Sequence, residues 1–226
     1  MLDSLRWLAL EVTYLDRARE FYTTRLDLPV ERENDTEVVL RAGETEVILR
    51  RPKRVPRGGL HTHYAFSAPA EEYDEWWERL EDLDPDEHTF GSARSLYVDD
   101  PDGHCVEIGE VGDESEGEGI TGIFEVVLEV ADLGRAEDFY TDLGFEVTDR
   151  GSERRRIRLA GPMDLELWEP QLGLADARGG VHVDLGFGSD DPQPLVDRVR
   201  DRACAVESLD GGVRALDPDG HYLTFE

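Results

Sequence analysis

VADLGRAEDFYTDLGFEV, from Val130 to Val147, reads as a strand–helix phrase, and the chain contains it twice. RAREFYTTRLDLPVE at Arg17–Glu31 matches RAEDFYTDLGFEVT at Arg135–Thr148, so that Phe21 pairs with Phe139, 118 residues on. GGLHTHYAF at Gly58–Phe66 matches GGVHVDLGF at Gly179–Phe187, 121 residues on. YVDDPDGHCVEIGE at Tyr97–Glu110 matches RALDPDGHYLTFE at Arg214–Glu226, and the Asp-Pro-Asp-Gly-His core recurs 117 residues on. So steady an offset marks a duplication. The acidic, glycine-rich Gly112–Gly119 between the copies reads as a linker.

Each half divides again. LRWLALEV alternates as a strand, and Leu15, Ala18, Phe21, Tyr22 and Leu26 follow at helical spacing. Short strands at PVEREN, EVVLRAG and EVILRR complete the first unit. LHTHYAFSA, the helix EEYDEWWERLEDL, and then HTFGS, SLYVDD and HCVEIGE repeat the order. The expected fold is α+β: four βαβββ modules forming two cup-shaped mixed sheets with helices on the outside. The first half covers 1–113 (modules 1–52 and 58–111) and the second 120–226 (modules 120–170 and 179–226). In the repeated turn, Pro101 suits the second position of a β-turn, Asp102 the third and Gly103 the fourth. His104 and His221 belong to the turn and read as its supports.

The 226 residues include 53 acidic and 24 basic ones, for a formal net charge of -29, and Lys53 is the only lysine. Hydrophobic residues still make up 39 %, so the charge describes a hydrated acidic coat on a folded chain rather than disorder. Such repulsion is tolerable in concentrated salt, which points to a halophile. Nucleic acid and anionic membranes are poor partners for this surface. Cys105 and Cys204 are too few for a disulfide framework. No signal peptide and no run of the roughly 20 apolar residues that span a bilayer is evident, so a cytoplasmic protein is expected.

Together, VADLGRAEDFYTDLGFEV and DPDGHCVEI resemble the vicinal-oxygen-chelate superfamily, which includes glyoxalase I, extradiol dioxygenases and bleomycin-resistance proteins. The resemblance covers essentially the whole chain, and four modules in tandem look most like the two-domain catechol 2,3-dioxygenases. It implies metal ligands on the first and last strands of a module. Carried over residue by residue, those positions are Trp7 and Ile48, His63 and Glu107, Glu125 and Glu166, and Asp184 and Thr224, with a one-residue slip open at Ile48 and Glu166. His63, Glu107, Glu125 and Glu166 are good ligands and fall in modules two and three. Pairing module two with module three would gather them in one cup and leave module one with module four around a cup without metal. Pairing within each half would split them. The central pairing is favoured because its one-His, three-carboxylate set resembles glyoxalase I.

The resemblance implies one divalent metal, Fe, Mn, Ni, Zn or Mg, on His63, Glu107, Glu125 and Glu166, with Glu166 or Glu107 as the proton carrier. His61 and Cys105 are expected to face the same cup as substrate contacts, His61 because it lies two residues from His63. Tandem dioxygenases of this kind would have His where Glu125 stands. Glyoxalase-like isomerase or lyase chemistry is therefore favoured over extradiol ring cleavage. A non-catalytic protein that sequesters a small molecule is the third reading. The partner is a small-molecule substrate, and a chain able to complete its own cups is expected as monomer or homodimer. The arginine-rich Arg50–Gly59 could hold an anion or a neighbouring acidic surface.

Overall fold

A computed structural model describes residues 1–51, 60–112, 117–170 and 183–226. The linker core at 113–116, most of the arginine-rich stretch at 52–59, and His182 lie outside these residues. The first module runs β1 (Leu2–Glu11), α1 (Leu15–Thr24), β2 (Val30–Glu33), β3 (Glu37–Ala42) and β4 (Thr45–Arg50). The second runs β5 (Leu60–Pro69), α2 (Tyr73–Leu80), β6 (Asp86–Phe90), β7 (Ala93–Asp99) and β8 (Cys105–Gly112). The third runs β9 (Gly122–Glu129), α3 (Leu133–Asp142), β10 (Glu146–Arg150), β11 (Arg156–Ala160) and β12 (Asp164–Trp168). The fourth runs β13 (Val183–Ser189), α4 (Pro192–Val199), β14 (Ala205–Leu209), β15 (Gly212–Leu216) and β16 (Tyr222–Phe225).

These strands form two eight-stranded sheets. One has the order β14-β15-β16-β13-β1-β4-β3-β2 and the other β10-β11-β12-β9-β5-β8-β7-β6. Module two therefore joins module three, and module one joins module four. The seam of each sheet is an antiparallel pair of first strands, β5 with β9 and β1 with β13. Within every module the first and last strands run parallel.

The register shows four equivalent copies of one arrangement. In each module the last-strand position pairs with the residue two beyond the first-strand position: Glu107 with Ala65, Glu166 with Val127, Ile48 with Ala9 and Thr224 with Gly186. The assignments of Ile48 and Glu166 thus need no one-residue shift. Alternation sends these side chains to one face of the sheet and residues such as Leu8, Tyr64, Phe66 and Val126 to the other. The apolar faces of α1 and α3, with Phe21, Tyr22, Phe139 and Tyr140, pack on that second face. The main buried core is a continuous cluster drawing on both sheets, so the helices lie outside the cups and between the sheets.

The repeated turns fasten this arrangement. Asp100 Oδ1 accepts the backbone N–H of Asp102 at 2.8 Å and of His104 at 2.9 Å, and its Oδ2 accepts the Tyr22 hydroxyl at 3.0 Å. The Gly103 N–H closes the turn on the Asp100 carbonyl at 3.0 Å, with Gly103 at φ +82°. Asp102 Oδ1 accepts the Thr13 N–H at 2.7 Å, and His104 Nε2 donates to the Glu11 carbonyl at 3.0 Å. Thr13 and Glu11 belong to the other sheet's module. The second copy repeats every contact: Asp217 with Asp219, His221 and Tyr140, Asp219 with Ala131, and His221 with Glu129. Each Asp-Pro-Asp-Gly-His is a clasp from one sheet onto the strand–helix junction of the other.

Candidate metal centre

Three strands of the second sheet bring the predicted ligands together. Ala65 on β5 is the register partner of both Glu107 on β8 and Glu125 on β9, and His63 stands two residues before it on the same face. One ligand atom each from His63, Glu107 and Glu125 lies within 4.8 Å of the other two, and all three residues are buried. His63 Nε2 is 3.2 Å from Glu107 Oε2 and 3.5 Å from Glu125 Oε1. Glu107 Oε2 is nevertheless buried without a well-aligned hydrogen bond. An imidazole and two carboxylates converging on one point are a donor set that fits a divalent cation.

The electrostatics agree. Burial would lower the His63 pKa, but the close carboxylates of Glu107 and Glu125 outweigh it and raise the ring to about 9. Burial pushes Glu107 up, yet His63 and the hydroxyls of Ser95 and Tyr97 hold it below the usual carboxylate range. In the absence of an ion the site balances its charge with a proton on His63.

Glu166 sits beside this trio rather than in it. Its Oε2 accepts the Trp168 indole N–H at 2.6 Å, and its Oε1 accepts Arg156 Nη1 at 3.0 Å. Burial and the neighbouring Glu125 charge raise its pKa despite Trp168 and the arginines Arg156 and Arg158. Arg158 Nη2 is ion-paired with Glu125 Oε2, and Arg158 Nε with Asp164 Oδ2 at 3.1 Å. The His63 ring stands edge-on to Tyr97 at 5.4 Å and to Trp168 at 6.0 Å between centroids, and these aromatics wall the cup.

His61 departs from the expectation. The β5–β9 ladder carries a bulge between His61 and His63, which turns His61 to the helix-bearing face. There it is fully buried, stacked on His104 at 5.1 Å with its Nε2 3.2 Å from His104 Nδ1, and edge-on to Tyr64. The β1–β13 ladder has the same bulge between Leu5 and Trp7, and Leu5 lies in the main core. His61 therefore occupies a core position and does not line the cup. Cys105 is partly exposed at the start of β8, and burial with the charges of Asp99, Glu107 and Asp86 pushes its thiol up to about 12. It is a neutral thiol beside the site.

Arg156, Arg158, Ser95 and Tyr97 were not singled out by the sequence. Arg156 and Arg158 alternate on β11 directly opposite Trp168 and Glu166, and Tyr97 on β7 lies opposite Glu107. Only the antiparallel register, which the sequence leaves free, would have revealed them.

Residues 4–108 match the family model of the Glyoxalase/Bleomycin resistance protein/Dioxygenase superfamily. The glutathione transferase FosA of Serratia marcescens is 31 % identical over 114 residues, which are 48 % of this chain and 81 % of that protein. The metallothiol transferase FosB of Staphylococcus saprophyticus is 27 % identical over 116 residues, 48 % of this chain and 77 % of that protein. Glyoxalase I from Zea mays superposes with a TM-score of 0.71 at 18 % identity, covering 98 % of this chain and 91 % of its own. The chain belongs to the Glyoxalase/Bleomycin resistance protein/Dioxygenase superfamily. The maize enzyme shares its fold across both halves.

Proposed function

We propose that this protein is a metal-dependent enzyme of the vicinal-oxygen-chelate type, with His63, Glu107 and Glu125 as the protein ligands. The observation that carries the reading is the convergence of one buried ligand atom each from His63, Glu107 and Glu125, all within 4.8 Å of one another. A divalent ion held there would act as a Lewis acid toward a small substrate offering two adjacent oxygens. Three protein ligands leave positions open for such a substrate.

The chain's own residues suit proton movement. Glu166 has a raised pKa and carries the proton, with Trp168 and Arg156 fixing the orientation of its carboxyl. Tyr97 and Ser95 hold Glu107 in place, and Tyr97 and Trp168 exclude water from the cup. Isomerase chemistry, in which a proton is taken from one carbon and returned to its neighbour, and lyase chemistry, in which a proton is taken beside the bond that breaks, both use this set. The second reading is addition of a thiol to an electrophilic substrate, favoured by the FosA and FosB relatives.

The deciding experiment loads the purified protein separately with Mn, Ni, Zn, Mg and Fe(II). It then assays hemithioacetal isomerisation, thiol addition to an epoxide, and catechol cleavage under oxygen. Metal-dependent isomerisation lost in Glu166→Gln supports the first reading, and thiol addition that survives this change supports the second. Catechol cleavage would move the protein to the extradiol class. Failure to take up any of the five metals would leave a small-molecule-sequestering protein.

A further inference from the structure

A cavity of about 540 Å³ opens in the other cup, on the sheet shared by modules one and four. Its lining carries three of the four equivalents of the metal-site positions, Trp7, Ile48 and Asp184. Trp7 and Ile48 offer nothing to a metal. With Ala9 and Val39 they make an apolar patch separate from the main core. The Trp7 indole lies against Gly186, where a Cβ would come within 2.0 Å of the ring, so the absence of a side chain is what lets the indole lie there.

Beside this patch two arginines share one buried carboxylate. Asp184 Oδ2 faces Arg214 Nη2 at 3.2 Å and Arg50 Nη1 at 3.5 Å, and Asp184 Oδ1 accepts the Thr224 hydroxyl at 3.1 Å. One carboxylate is shared there by two guanidiniums, while the rest of the lining sets Arg6, Arg32 and Arg41 against Glu37, Glu44, Glu46 and Glu226. Arg50 Nε is buried without a hydrogen-bond partner. A buried N–H left in that state is costly, and it marks where an acceptor is missing. Arginine is suited to gripping a planar anion with two donors at once.

We propose that the second cup binds a small organic monoanion, a carboxylate on a flat apolar body. The carboxylate sits on Arg50 and Arg214, and the flat body lies against Trp7 and Ile48. Nothing in this proposal depends on the chemistry of the metal cup. The cavity lies within the usual range for small-ligand sites, roughly 300–1,000 Å³.

The probe is 4-fluorobenzoate, titrated at about 0.15 M salt to keep screening moderate, with inorganic phosphate and benzylammonium as comparators. Binding is followed by fluorine resonance and by the indole N–H resonances of the four tryptophans, with Trp7 assigned through Trp7→Phe. The expected result is a saturable shift of the Trp7 resonance by fluorobenzoate. It should be weakened roughly tenfold or more in Arg50→Gln, weakened likewise in Ile48→Trp, which crowds the surface the flat body lies on, and unchanged in Glu107→Gln. Three results overturn the proposal: no saturable shift, a shift confined to Trp168, or phosphate or benzylammonium binding as tightly as fluorobenzoate. Unchanged affinity in a folded Arg50→Gln does so as well. If Arg50→Gln does not fold, Ile48→Trp decides, and undiminished binding there overturns it.

Discussion

Glu107 and Glu125 reach the same point from opposite sides of one residue, Ala65, which is the register partner of both. Two strand spacings, about 10 Å, separate their backbones, and the side chains close that gap above a methyl group. The small residue is what keeps the space between them open. Ala65→Leu should therefore abolish metal uptake while all three ligands remain, with folding checked by circular dichroism. Normal uptake in the Leu variant would place the ion elsewhere.

Removing a ligand should act more strongly than disturbing its support. Changing an outer hydrogen-bond partner of a metal ligand costs about 10–100-fold in affinity. Tyr97→Phe should fall in that range and Glu107→Gln beyond it, both read by isothermal titration with Mn or Ni. Equal losses would mean that Glu107 is itself only a supporting group.

Glu166 should separate binding from chemistry. Its folded pKa is raised, so the fold holds that proton more tightly than the unfolded chain does. Ionising the carboxyl therefore costs stability as pH rises through the folded pKa. Glu166→Gln should leave the Tm at pH 7 unchanged or higher and spare metal content, while turnover falls by about 10²–10⁴. Turnover at the wild-type level in the folded variant would remove Glu166 as the proton carrier.

His63 should set the pH dependence of metal uptake. With a folded pKa of about 9 the metal-free ring is protonated at neutral pH, and an ion must displace that proton. Apparent affinity should rise about tenfold per pH unit and flatten near pH 9, with about one proton released per ion at pH 7. Titration in two buffers of different ionisation enthalpy measures that proton. The contribution of His63 to metal-free stability has the opposite sense. It is complete below the unfolded pKa of about 6.5 and lost as pH rises through about 9.

How much of this was legible depended on which rule carried it. The four modules followed from repetition, whereas the pairing of module two with module three and the expected set of His63, Glu107, Glu125 and Glu166 rested on the resemblance to the vicinal-oxygen-chelate superfamily; the first three converge and Glu166 stands beside them. His61 was misplaced because strict alternation was applied across a bulge, and a bulge leaves no mark in LHTHY. Arg158 was missed because its role arises from standing opposite Glu166 across β11 and β12. The turns were read as hairpin closures, and Gly103 and Gly220 do close them. Their contacts with Tyr22, Tyr140, Thr13 and Ala131 are long-range and invisible in the motif.

The two clasps should not be equally sensitive. Tyr140 donates to Asp217 Oδ2 at 2.9 Å, and Asp217 is fully buried. Tyr140→Phe leaves that oxygen without its donor, which should cost about 2 kcal/mol, or roughly 4–8 °C in Tm for a chain of this size. In the first half, the Tyr22 hydroxyl contacts Tyr64 as well as Asp100. Tyr22→Phe leaves the Tyr64 hydroxyl free to turn toward the carboxylate, so the loss should be smaller. The fourth module has Leu185 at the position of Tyr64, so Tyr140 has no such substitute. Leu185→Tyr offers no rescue in a core packed for leucine, so the comparison rests on the two Phe variants. Equal losses in Tm would show that Tyr64 does not take over, and a larger loss in Tyr22→Phe would place the stronger clasp in the first half.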